Sequence, residues 1–224
     1  NRARPTAFGK DGELVLAPRL DNIASVYAST VAFIEAKREG ASILAVFDNE
    51  EVGSGTKQGA GSTLLRDTLR TVVEALQCDY EALLERSFMV SADNAHARHP
   101  NHPELSDEQN CPYLNGGLVI KYNAAQRYTT DGVSAAVVRA VCRKADVPVQ
   151  TYCNRADMPG GSTLGNISLS QVAVLSADIG LPQLAMHSCY ETAGVHDIGY
   201  LVDAMTAYYS RALDVPAEGV YNIR

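Results

Sequence analysis

Short apolar runs of strand length alternate along this chain with segments of helical periodicity, and no other feature restricts the fold as much. The runs at 42–47, 87–92, 117–122, 149–153 and 181–186 read as strands. Between them, residues 63–77, 132–144, 167–177 and 197–213 read as helices. An earlier helix, capped by Asp21-Asn22, presents Ile23, Val26, Tyr27, Val31 and Ile34 on one face and ends near Gly40. Residues 94–115 hold three Pro and three His and read as a long loop. The pattern predicts an α/β fold, a sheet layered with helices, in one unit across residues 1–224.

Three of the apolar runs end in side chains that bind metals or move protons. Val46-Phe47 leads into Asp48, Glu50 and Glu51; Val90-Ser91-Ala92 leads into Asp93; Ala185-Met186 leads into His187. Ligands of open α/β sheets collect beyond the carboxyl ends of the strands. If the three strands are parallel neighbours, Glu50, Glu51, Asp93 and His187 share one crevice, and Asp21 joins them from the start of its helix. Any one acidic pair in a loop is most often solvated surface, and a lone histidine most often packed or exposed. The joint placement of the four is what points to chemistry.

Carboxylates so crowded repel one another, and divalent cations relieve the repulsion. Mixed Asp, Glu and His ligands suit zinc, with Mn or Co also accepted. Two metals sharing a carboxylate form a cocatalytic site, with about 3.5–4 Å between the ions. Neighbouring side chains at a strand end point in different directions. One of Glu50 and Glu51 can therefore hold a metal while the other serves as general base.

Composition narrows the partners. The formal net charge of −7 argues against nucleic acid. No apolar run reaches the roughly 18–20 residues that span a bilayer. Cys78, Cys111, Cys142, Cys153 and Cys189 are scattered, with no CxxC pair, which reads as reduced thiols in a cytoplasmic protein.

The segments Pro18-Arg19-Leu20-Asp21-Asn22, Asp48-Asn49-Glu50-Glu51-Val52-Gly53-Ser54, Ser91-Ala92-Asp93-Asn94-Ala95-His96 and Leu184-Ala185-Met186-His187-Ser188 together resemble the signature segments of the aspartyl aminopeptidase family. Val119-Ile120-Lys121-Tyr122-Asn123, Gln126-Arg127-Tyr128 and Gly160-Gly161-Ser162-Thr163-Leu164-Gly165 support the match, in family order. The resemblance implies a zinc-exopeptidase-like fold, three layers of helix, sheet and helix around a central mostly parallel sheet. It implies that Asp21 bridges two zinc ions, that Glu51 and His187 complete one metal site, that Asp93 belongs to the other, and that Glu50 is the general base. Lys121 matches a family lysine that meets an acidic substrate side chain; the plainer reading is a strand lysine facing solvent.

The family's remaining ligand is a histidine from an N-terminal segment, and Asn1–Leu20 holds no His. The family also inserts a second domain that mediates assembly into homo-oligomers. The expectation is thus the metallopeptidase portion, incomplete at its N-terminus, of an enzyme that removes the first residue of peptides. A deacylase or carboxypeptidase on the same sheet, or a metal-poor scaffold, are the alternatives.

Other signals weigh less. His96, His99 and His102 read as a loop near the site or a subunit contact rather than a metal centre. The glycines around Gly53–Lys57 do not fit the P-loop spacing, and Gly160-Gly161-Ser162 lacks the second glycine of a nucleophile elbow. Cys189 reads as a buried, inert thiol.

Overall fold

The computed structural model describes residues 3–217 and 219–223. In chain order it contains β1 (Thr6–Phe8), β2 (Leu14–Ala17), α1 (Leu20–Glu35), α2 (Leu64–Ala75), α3 (Tyr80–Glu85), β3 (Phe88–Ala92), β4 (Ala95–His96), β5 (Leu118–Tyr122) and α4 (Gly132–Lys144). There follow β6 (Val149–Cys153), α5 (Leu164–Leu169), β7 (Leu175–Gly180), β8 (Pro182–Leu184), β9 (Glu191–Gly194), α6 (Val195–Tyr209), β10 (Leu213–Ala217) and β11 (Val220–Ile223).

The central sheet has the order β3-β7-β5-β6. β3 and β7 are parallel, β5 and β6 are parallel, and β7 meets β5 antiparallel. Its two faces follow from the period-two alternation of side chains. Phe88, Val90, Ala92, Leu118, Ile120, Ala177 and Ile179 pack into one core with α1, α4 and α6. The residues between them face the other way. There Val119 packs with Tyr128 and Tyr152, and α5 closes against Ser91 and Asp178, so tightly that a Cβ on Gly165 would lie 2.7–2.8 Å from both side chains. Helices on both faces of a mixed sheet give the expected three layers.

Asp178 is fully buried on that second face and ties two loops to β7. Its carboxylate accepts bonds from Thr129 N (2.6 Å), Thr129 Oγ1 (2.9 Å) and Thr163 Oγ1 (2.6 Å). A second sheet, β1-β2-β9-β8-β4, continues from the first. The parallel ladder of β3 and β7 runs on through Asp93 N to Ile179 O (3.0 Å) and Ala95 N to Leu181 O (2.8 Å). Where it passes from one sheet to the other, the chains crowd: a Cβ on Gly180 would lie 2.0 Å from Asp93 O. Asp93 thus stands at the seam of the two sheets.

Several expectations need correction. Residues 42–47 join no ladder among the described residues. Ile43 and Val46 are 48% and 57% exposed, because an apolar run becomes a buried strand only where neighbouring backbone and side chains cover it. The three runs are therefore not parallel neighbours. The helix expected at 167–177 is α5, which ends at Leu169, and Leu175, Ala177 and Ile179 belong to a strand whose alternation with Ser176 and Asp178 reads as period two. The run at 181–186 is strand only as far as Leu184, and the last helix stops at Tyr209, with Leu213 in a terminal hairpin. On α1 the buried stripe is Ala24, Ser25, Ala28, Ser29 and Ala32, while Ile23, Tyr27 and Ile34 are exposed. Small side chains at four-residue spacing let α1 lie close against α6. Cys189 is exposed rather than buried.

α6 is anchored by its first turn. Asp197, fully buried, accepts from Asn115 N (2.6 Å) and Gly117 N (2.9 Å), just ahead of β5. Asn115 in turn accepts from His196 N (3.0 Å) and donates to Glu13 O (2.8 Å), next to β2. The clamp joins α6 to both sheets. Asp197→Ala strands two buried N–H donors and should lower the unfolding free energy by about 2–4 kcal/mol, read from urea denaturation. A loss below about 0.5 kcal/mol would remove the clamp from this account.

Candidate metal centre

Three separate turns and the seam of the two sheets carry the residues singled out above into one place. Asp21 opens α1 with a backbone that is not yet helical (φ −83°, ψ 111°). The next residue, Asn22, donates through Nδ2 to Ala92 O (2.8 Å), which ties this turn to the end of β3. The Asp21 side chain is 5% exposed, and its Oδ1 has no hydrogen-bond partner.

Glu50 and Glu51 lie in a single 3-10 turn, Glu50–Val52, between Asn49 (φ 61°) and Gly53 (φ 96°). The glycine-rich loop that follows folds back to fix it. Thr56 Oγ1 (3.0 Å) and Gln58 Nε2 (2.8 Å) both donate to Asn49 Oδ1, and Ser54 N donates to Asn49 O (2.9 Å). Ser54 is fully buried, and Gly59 passes so near that a Cβ there would lie 2.4 Å from Ser54 O. The glycines are needed for this close approach rather than for holding a phosphate.

His187 occupies the turn between β8 and β9, where Ala185 (φ 56°) and His187 (φ 65°) both take left-handed backbone. It is not the tip of a strand. Its imidazole nevertheless reaches the others: Nε2 lies 3.1 Å from Asp21 Oδ2 and 3.2 Å from Glu51 Oε1. Ligand atoms of Asp21, Glu51 and His187 all fall within 4.8 Å of one another. Asp93, from the seam of the sheets, is near enough for its charge to raise the pKa of Asp21.

The electrostatics show how tight the grouping is. Burial, then Asp93, Glu51 and Glu191, push the Asp21 carboxyl up to about 8. Burial, then Asp93 and Glu51, push Glu50 up to about 7, with Lys121 and His187 pulling the other way. Oxygen donors that repel one another, a buried carboxylate oxygen without a partner and an imidazole nitrogen within reach make a donor set that fits a divalent cation such as zinc.

Lys121 does not face solvent. It is 1% exposed, and its Nζ sits 3.3 Å from Asp93 Oδ2, 3.2 Å from Asn94 O and 5.0 Å from the centre of the Tyr128 ring. His99 and His102 lie apart in the long loop, their rings 5.4 Å from each other, with His102 paired to Glu104 (3.1 Å). Among the described residues they build no group of three ligands. Spacing gave no sign of two further residues. Asn94, buried, holds Ser25, Leu20 O and Gln183 together behind the site. Glu191, also buried, accepts from the backbone of both Asp21 and His187.

Lys121→Met leaves Asp93 without its cation and Asn94 O without a donor. In chelator-treated protein it should cost about 3–5 kcal/mol of stability, the range for breaking a buried pair. Disrupting the exposed Arg66–Asp67 pair should cost no more than about 1 kcal/mol. Equal losses in denaturant titrations of the two variants would contradict the buried-pair reading.

Comparison with known proteins identifies the family and the fold. The family described as "Aminopeptidase I zinc metalloprotease (M18)" matches residues 2–209. A probable M18 family aminopeptidase 2 of Clostridium novyi is 44% identical over 207 residues, 91% of this chain and 48% of the relative. The chain therefore spans about half the length of that relative. The crystal structure of an M18-family aminopeptidase from Thermotoga maritima superposes with a TM-score of 0.84 at 25% identity, covering 92% of this chain and 48% of that one. The S. cerevisiae mApe1 dodecamer gives a TM-score of 0.79 at 28% identity, with the same two coverages of 92% and 48%. Family match and relatives lead to one conclusion: this chain belongs to the M18 family of aminopeptidase I zinc metalloproteases.

Proposed function

We propose that the protein containing this chain is a metalloaminopeptidase that removes the N-terminal residue of peptides, and that the centre at Asp21 is its active site. The observation that carries this reading is the meeting of Asp21, Glu51 and His187 within 4.8 Å, with Asp93 and Glu50 beside them. In this reading Asp21, Glu51, His187 and Asp93 would hold the zinc, with Asp21 shared between two ions and a further histidine completing the set. Mn or Co would fit the same donors. Bound zinc supplies Lewis acidity toward the scissile carbonyl and toward water.

The chain's own residues do the rest. Glu50 takes the proton of the attacking water and returns it to the leaving amine. Burial, then its neighbours Asp93 and Glu51, raise its proton affinity, which suits a carboxyl that must hold a proton between two steps. Lys121, 1% exposed with its Nζ 3.3 Å from Asp93 Oδ2, serves in this reading as the counter-charge of Asp93, and the acidic first side chain that the resemblance assigns to it finds no exposed ammonium there. A homo-oligomer is part of the same reading, supported by the dodecamer among the structural neighbours. So is a cytoplasmic setting, supported by the five scattered cysteines. The comparisons lend no support to a deacylase, a carboxypeptidase or a scaffold. No helix among the described residues is long and apolar enough to cross a membrane.

Glu50→Gln, made in the protein at its natural length, should retain bound zinc and lose about 10²–10⁴-fold in kcat on a peptide with a free N-terminus. Metal content by mass spectrometry and steady-state kinetics together check this. Turnover within threefold of the parent would refute the role.

A further inference from the structure

The roles above leave one buried carboxylate without an explanation. Glu191, the first residue of β9, is 2% exposed, and both of its oxygens are committed to main-chain donors. Oε2 accepts from Asp21 N at 3.0 Å, and Oε1 accepts from His187 N at 2.8 Å. The two donors are 166 residues apart in sequence, yet their side chains meet at 3.1 Å. One carboxylate thus spans the backbones of two residues that converge on the metal centre.

Those backbones need holding. His187 has φ 65°, a left-handed conformation that a β-carbon disfavours, in a turn where Ala185 is left-handed as well. Asp21 interrupts the first turn of α1 with ψ 111°. Either residue could relax and swing its side chain away. Glu191 itself cannot move far, because β9 pairs with β2 on one side and β8 on the other, with Glu191 opposite Ala17. The sheet fixes Glu191, and Glu191 fixes the two turns.

The choice of residue also needs a reason. A buried carboxylate near Asp21 adds repulsion to a crowded site. Glutamine has the same shape and no charge, but it offers one acceptor oxygen, and its NH₂ would face a backbone N–H. Only a carboxylate of this length accepts from both amides at once.

We infer that Glu191 is a positioning residue of the metal centre, its carboxylate bracing the main chains of Asp21 and His187 so that their side chains meet as ligands of one ion. The inference rests on the metalloaminopeptidase reading above. It concerns the support of the ligands, not direct contact with metal or substrate.

Zinc affinity of the full chain, measured by competition with a chromophoric chelator, tests it with Glu191→Gln and Glu191→Asp. The first keeps length and loses an acceptor; the second keeps charge and loses reach. Both should weaken zinc binding about 10–100-fold, as for loss of other groups that orient ligands, and both should change the visible spectrum of the cobalt-substituted site. If either variant fails to fold by circular dichroism, the other carries the test. Affinity within twofold of the parent in a folded variant, with an unaltered cobalt spectrum, would overturn the inference even if thermal stability fell. If the parent protein at its natural length bound no zinc, the metal reading would fail instead, and the two failures are distinguishable.

Discussion

Repulsion among Asp21, Glu50, Glu51 and Asp93 is the constraint on which the architecture of this site turns. Burial raises the cost of charge on Asp21 and Glu50, and Asp93 and Glu51 add to it, so that Asp21 is pushed up to about 8 and Glu50 to about 7. A fold does not bring carboxylates together for their own attraction. Something positive has to be gained in the middle of the group, and among the described residues Lys121 and His187 are at hand within it. Lys121 already spends its charge on Asp93 and Asn94 O. A divalent cation among oxygen and nitrogen donors answers the remainder.

The scaffold meets that repulsion with rigid backbone rather than with long side chains. Asp93 is fixed where the ladder of β3 and β7 crosses from one sheet to the next, with Gly180 pressed against it. Glu50 and Glu51 are fixed by a loop that folds back on Asn49. Asp21 and His187 are fixed through Glu191. All three supports use main-chain hydrogen bonds or close backbone contact, which position ligands more firmly than surface ion pairs such as Arg66–Asp67 would.

Much of this was legible in the sequence, and the failures have a common cause. α4, with its Asp131–Ser134 capping box, and β3, β5 and β6 read correctly, whereas β7, whose partners β3 and β5 are also described, falls partly within an expected helix. Residues 42–47 carry the apolar signal of a strand but form none, because pairing depends on neighbouring backbone and not on composition. The large apolar residues of α1 suggested a face that is in fact exposed, since close packing against α6 selected alanine and serine instead. The five candidate residues do come together, although not as tips of adjacent strands: His187 and Glu51 arrive on turns. Glu191 left no trace in spacing or periodicity, because its role depends on two amides distant in sequence.

Anomalous X-ray diffraction at the zinc edge, from crystals grown with zinc, measures the central claim directly. The account predicts a peak bounded by Asp21, Glu51 and the imidazole of His187, with metal–ligand distances of about 2.0–2.2 Å. No peak there, or zinc held instead in the loop of His99 and His102, would contradict it.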